Sequence, residues 1–324
     1  MAEAGEIGYT PAVNPLPMED GSAGRGARFE ELIDRGRTEI AAERLEDALA
    51  TFEAAERLAA GRGDRTAADR AWLNRCAVLT AMQRVDEVGG PTLHRMRSIL
   101  TNDRDPVNAR LAAYNIAKVY ELTRDYRKGL FYARIALDRS RTLGSDEWLA
   151  SSHNQLGNLL LAESRFEEAR QEYVKALELV PAGGDPVTRA AICDNLGYAL
   201  AALGEHDRAF GYLYRSLRSL RRLGNRREQV FPHLRLCFTH LEVGRYRDAA
   251  RHGVRALALA EEFGEPVSIQ YALFLLGETA QLSGDPDAAR RCFLRLQQSF
   301  FPDNPQLPDL LLSVDIRGLV NLKA

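Results

Sequence analysis

Residues 151–181 read SSHNQLGNLLLAESRFEEARQEYVKALELVP, and the fold follows from this stretch. Leu156, Leu159 and Leu160 recur at three and four, the spacing of a helix packed on one side, so a first helix is predicted over Ser151–Glu163. A break at Ser164-Arg165 precedes a second amphipathic run, predicted as a helix from Phe166 to Val180. Gly157 and Ala169 carry almost no bulk, which lets two helix backbones approach while Phe166 and Tyr173 fill the space beside them.

Working outward, the same pattern returns every forty residues. A ladder of small residues runs Gly36, Cys76, Ala117, Gly157, Gly197, Cys237 and Gly277, with spacings of 40, 41, 40, 40, 40 and 40. A second runs Ala48, Val88, Gly129, Ala169, Ala209, Ala249 and Ala289. A third consists of Gly63, Gly144, Gly184, Gly224 and Gly264, with Asp103 in the second place; these stand where a helix must stop. Gly204, Gly244 and Gly284, and Ser164 in their place, sit at the tight turn between the two helices of a unit. Three ladders in one register mean a chain of two-helix units, each touching only its neighbours. Unit two is irregular: Gly89-Gly90-Pro91 should delay its second helix until Pro91, because proline suits a first helical turn.

The order Leu156-Gly157, Phe166, Ala169, Tyr173, Ala176-Leu177 and Pro181 resembles the tetratricopeptide repeat family, over residues 29–304. The forty-residue period exceeds the usual ~34 and is similar to the longer-repeat branch of kinesin light chains and LGN-type polarity adaptors. The resemblance implies an all-α, right-handed α-solenoid of about seven hairpins, at about 28–67, 68–108, 109–148, 149–188, 189–228, 229–268 and 269–304. Residues 1–27, with Pro11, Pro15 and Pro17 and few large apolar groups, read as a disordered tail. Residues 305–324 read as a C-terminal cap, with a helix over Asp309–Leu322.

Composition excludes more than it identifies. The chain has 324 residues, 45% of them hydrophobic and 27% charged, with no apolar run near the ~20 residues of a spanning helix. The N-terminus lacks the apolar core of a signal peptide, and Cys76, Cys193, Cys237 and Cys292 form no CxxC pair, so a cytoplasmic protein without disulfides is expected. Only four of 43 basic residues are lysine, which suggests a GC-rich, bacterial genome. The sequence has no GxSxG, HExxH, Walker or GxGxxG motif, so no enzyme activity and no cofactor are expected. His233, Cys237 and His240 share a helix face and are zinc-ligand types, but Cys237 belongs to the small-residue ladder and a fourth ligand is missing; packing is the reading preferred.

The resemblance also implies a concave groove lined by one face of every first helix. Projected onto this chain, it places Tyr114, Asn115 and Lys118, then Asn154, Gln155 and Asn158, in the groove. Asp194, Asn195 and Tyr198 follow, then Phe231, Leu234, Arg235 and Phe238, then Phe274, Glu278 and Gln281. Amide side chains both donate and accept, so a row of them can hold an extended peptide backbone, as asparagines matching Asn115, Asn158 and Asn195 do in the longer-repeat relatives. On this reading Asn158 and Asn195 serve a ligand and not stability. The function expected is a protein or peptide-binding adaptor, with no membrane partner. A peptide-sensing regulator, broadly resembling bacterial quorum-sensing receptors, is the alternative. Residues 205–255 carry 12 arginines and 5 acids while residues 1–60 carry 13 acids and 6 arginines. The basic stretch suits an acidic peptide; nucleic acid ranks behind it, since no reader motif is present. Opposite charges could also join two copies into a homo-oligomer.

Overall fold

The computed structural model describes residues 27–42, 44–180 and 184–313; residues 1–26 of the tail expected over 1–27 and most of the expected cap fall outside them, and Ala27 begins the first helix. Among the described residues every regular element is a helix. The chain divides into two compact units, an N-terminal one ending at Leu160 and a C-terminal one beginning at Leu161, with the short piece Glu178–Pro181 assigned to the former.

In the N-terminal unit α1 (Ala27–Ala41) pairs with α2 (Leu45–Ala60). Next come α3 (Arg65–Ala81), the four-residue α4 (Val85–Val88) and α5 (Pro91–Asn102), then the pair α6 (Pro106–Leu122) and α7 (Tyr126–Leu143), and α8 (Asp146–Ala162). The C-terminal unit holds α9 (Phe166–Leu179), then the pairs α10 (Pro186–Ala202) with α11 (His206–Arg222) and α12 (Val230–Glu242) with α13 (Tyr246–Glu262). The pair α14 (Pro266–Leu282) and α15 (Pro286–Phe300) and the short α16 (Leu307–Ser313) complete it. The break between α4 and α5 falls at Gly89-Gly90, as the sequence requires. Helix α8 starts five residues before the predicted Ser151, because Ser145 caps it by accepting the Trp148 N–H at 3.3 Å and Asp146 and Glu147 occupy its first turn.

Starts and stops are written locally. Asp105, Asp185 and Asp285 each accept a backbone N–H from the first turn of the helix they precede, and each is followed by proline in that turn. From the second unit onward the turn inside each hairpin uses one left-handed residue among the described residues, and the six run Gln83, Arg124, Ser164, Gly204, Gly244 and Gly284, with φ between 57° and 85°. These positions extend the forty-residue register into the turn, and three of them carry side chains where the backbone favours none. Asp103, in the place of a stop glycine, is extended at φ −75°, so α5 ends by a different route.

Every described residue of the two small-residue ladders is buried. At Gly197 an added Cβ would lie 2.7 Å from Leu213, and at Gly36 it would lie 2.6 Å from the Phe52 ring. The paired helices therefore touch where one has no side chain. The consequence divides the helices into two kinds. α10 is buried almost all round, from Ala190 to Ala202, because it has neighbours on several sides. α11 and α13 keep apolar residues on one face and leave arginines on the other. At the C-terminal end Leu311 of α16 joins Phe293 and Leu296 in a buried cluster.

The turn ladder gives a prediction of opposite signs at equivalent positions. Arg124→Gly and Ser164→Gly should each raise stability by up to about 1 kcal/mol, whereas Gly204→Val should lower it by at least as much. Urea unfolding midpoints of the three variants check this; a lower midpoint for Arg124→Gly would show that its left-handed backbone costs nothing.

Candidate functional site

In the N-terminal unit the residues assigned to a groove lie on α6 and α8, and the structure puts their amides to another use. Asn115 Nδ2 donates to the Leu73 carbonyl of α3 at 2.7 Å, and Gln155 Nε2 donates to the Tyr114 carbonyl of α6 at 2.9 Å. Asn108 adds a parallel bond to the Thr66 carbonyl at 2.9 Å. These bonds tie one first helix to the next, and their donors are 0–2% exposed. Asn154 and Asn158 are buried as well, at 3% each. The expectation of an exposed amide row is therefore corrected: side-by-side packing of the first helices covers that face. Lys118, half-buried, holds both carboxylate oxygens of Glu121 at 3.0 Å. Tyr114 is buried beneath the Arg110 guanidinium, and its hydroxyl has no hydrogen-bond partner; neither has Gln155 Oε1.

In the C-terminal unit Arg235 of α12 organises the expected residues. Its Nη1 lies 2.6 Å from Asp194 Oδ2 and donates to Asn195 Oδ1 at 2.9 Å. The guanidinium sits 5.1 Å from the Tyr198 ring centroid, and Tyr198 meets Phe238 edge-on at 5.8 Å. All five are buried. Burial pushes the Asp194 carboxyl up to about 6 against the opposing pull of Arg235. Asp194 Oδ1 has no hydrogen-bond partner. Phe231, Leu234 and Phe238, expected to line the groove, are core residues at 9%, 3% and 0% exposure. On α14 Glu278 is buried, while Phe274 and Gln281 are half-buried. Gln281 Nε2 donates to the Leu312 carbonyl of α16 at 3.2 Å, and its Oε1 is without a partner.

A third group, missed in the sequence, surrounds His233 and His240. His252 of α13 brings its Nδ1 to 2.9 Å from His233 Nδ1, and Tyr214 of α11 bridges His252 Nε2 at 3.4 Å and His240 Nε2 at 3.0 Å. Arg221 of α11 approaches His233 Nε2 at 3.5 Å. Arginine can only donate, so His233 accepts there and carries its proton on Nδ1, which it donates to His252. His252 then donates from Nε2 to Tyr214, and Tyr214 donates to His240 Nε2. Burial, followed by neighbouring positive charge, lowers His233 to about 3 and His252 to about 4; burial also lowers His240. All three rings are thus neutral near pH 7. Cys237 does not join them: burial pushes its thiol up to about 12, and it packs against Gly253. Among the described residues no group of three or more His, Cys, Asp or Glu side chains is placed to hold a metal. The spacing that pointed to His233 and His240 could not include His252, which comes from the next helix.

Residues 150–182 match the tetratricopeptide repeat family model. No curated protein matches the sequence. Among solved structures, BtubC (BKLC) from P. vanneervenii is similar at 21% identity and TM-score 0.55, over 69% of this chain and 93% of that one. The apo form of RapI is similar at 12% identity and TM-score 0.61, over 84% and 98%. A Rap protein complexed with competence and sporulation factor is similar at 15% identity and TM-score 0.55, over 88% and 90%. At these identities the likeness is one of fold. No described helix is long and apolar enough to cross a membrane.

Two predictions follow from the geometry. Gln155→Ala and Asn195→Ala each break a buried hydrogen bond between first helices and should cost about 1–3 kcal/mol, read as a lower melting temperature; an unchanged value would mean that the interhelix bonds contribute nothing. The histidines set a pH dependence. Their folded values lie below the ordinary 6.5, so the stability they contribute is complete above that pH and is lost as pH falls toward 4 and 3. Asp194, raised to about 6, works in the opposite direction. Melting temperatures from pH 7 to pH 4 should therefore fall more steeply for the native chain than for His233→Gln/His252→Gln, in which Asp194 is retained.

Proposed function

We propose that this chain, a tetratricopeptide-repeat protein, is a non-enzymatic interaction scaffold that receives an extended partner segment along its first helices. The observation that carries this reading is a set of half-buried side chains at the edge of those helices, Lys118 in the N-terminal unit and Phe274 and Gln281 in the C-terminal unit, with Gln281 Oε1 left without a donor. A buried acceptor without a donor costs about 1–3 kcal/mol, and an extended peptide presents backbone N–H groups at regular intervals. The half-buried Phe274 and Gln281 mark where a segment would lie in the C-terminal unit, and Lys118 marks it in the N-terminal unit. The buried amides and aromatics give this face its rigidity, and the ligand contacts come from the side chains at its edge. The Rap protein complexed with competence and sporulation factor supports the reading at the level of fold.

Site-specific photocrosslinking tests it. A benzophenone side chain at position 118 or 274 should capture a partner protein that the same group at Phe131, a residue 60% exposed on α7, does not. Capture from position 131 alone would place binding on the second helices and remove the first-helix reading.

A further inference from the structure

The arginine-rich second helices carry a feature that the scaffold reading does not use. A pocket of 550 Å³ opens over α11, α12 and α13, with Arg221, Arg251 and Arg255 around it and Tyr214, His233 and His252 lining it from within. A second pocket of 430 Å³ adjoins it, shares Tyr214 and Arg221, and adds Arg218 and Arg222. Five guanidinium groups thus line these two neighbouring pockets, each within the size range of small-molecule sites. The acid beside them is Asp248, held by Arg251 at 3.0 Å. Among the described residues no carboxylate pairs with Arg218, Arg221, Arg222 or Arg255. Elsewhere in the same stretch Arg208 meets Glu205, Arg226 meets Glu262, Arg227 meets Glu265 and Arg235 meets Asp194.

We propose that this pocket binds a phosphoryl-bearing ligand, with Arg221, Arg251 and Arg255 holding the phosphoryl oxygens and Tyr214 and the histidines forming its floor. One carboxylate occupies one guanidinium fork, whereas a phosphoryl group offers three oxygens and about two charges to several forks together. Its charge suits a site with this many unpaired cations. The floor is pre-ordered, because Arg221 fixes the direction of every hydrogen bond from His233 through His252 to Tyr214. Leu217, Ala258 and Val254, the last 59% exposed, give the pocket an apolar wall beside the charges. A ligand with an apolar portion next to its phosphoryl group would cover Val254. The site lies on α11–α13 and is independent of the first-helix face.

Calorimetry in 150 mM NaCl, a condition chosen to screen diffuse surface charge, measures binding of inorganic pyrophosphate and of the peptide acetyl-Ala-phosphoSer-Ala-amide. Whichever probe is tighter names the source, a free phosphate compound or a phosphorylated partner segment. The expected dissociation constant is on the order of 100 μM for the better probe. Arg221→Gln/Arg255→Gln should weaken it about tenfold or more. Arg208→Gln/Arg247→Gln, the same charge change on α11 and α13 outside both pockets, should leave it within about twofold. Ring signals of His233 and His252 should shift on pyrophosphate addition while those of His94 and His153 stay, and this reading needs no variant. Equal losses in the two double variants would overturn the proposal, as would hexaglutamate binding as tightly as pyrophosphate. Oligouridylate displacing pyrophosphate with a steep salt dependence would replace it with a nucleic-acid surface.

Discussion

Two helix backbones can meet closely only where one of them lacks a side chain, and this fold is organised around that condition. Gly36 under Phe52, Gly197 under Leu213 and Gly277 under Phe293 are the same contact repeated. Adding a methyl group to such a contact overpacks the core, at a cost of about 1–3 kcal/mol. The ring or leucine that fills the gap then fixes the rotation of its helix. With rotation fixed, one face of each second helix turns inward and the opposite face is left for charge, which is why the arginines of α11 and α13 come to share a pocket at all.

The small-residue ladders made the helices legible, because absence of bulk at a fixed period is a property of the sequence itself. The turn inside each hairpin was legible only in part. Glycine at 204, 244 and 284 announced it, while Gln83 and Arg124 adopt the same left-handed backbone without any residue type to show it. The helix start before Trp148 was lost for a related reason, since one serine does the capping and serine is common elsewhere.

The face assignments show where a single sequence stops. Asn115 and Lys118 are three apart and were placed on one face, yet Asn115 is 2% exposed and bonded to the preceding first helix while Lys118 reaches the edge. A helix with neighbours on several sides has no simple inside and outside, and α10 illustrates it, being buried nearly throughout. Periodicity separates two faces and cannot separate three. The histidine group failed differently: His233 and His240 were visible as a spacing on one helix, but His252 and Tyr214 join them only through packing between helices.

The amide-to-carbonyl bonds between first helices have a genetic consequence. Asn115 to Leu73 spans 42 residues and Gln155 to Tyr114 spans 41, so each bond reads the unit before it at one repeat's distance. A duplication or loss of one forty-residue segment in frame would present the next helix with the same acceptor in nearly the same place. Such an event would lengthen or shorten the protein without inventing an interface. A change of a few residues inside a first helix would instead turn that helix's amide away from its carbonyl, so the gene should vary in whole repeats and resist small insertions within the helices.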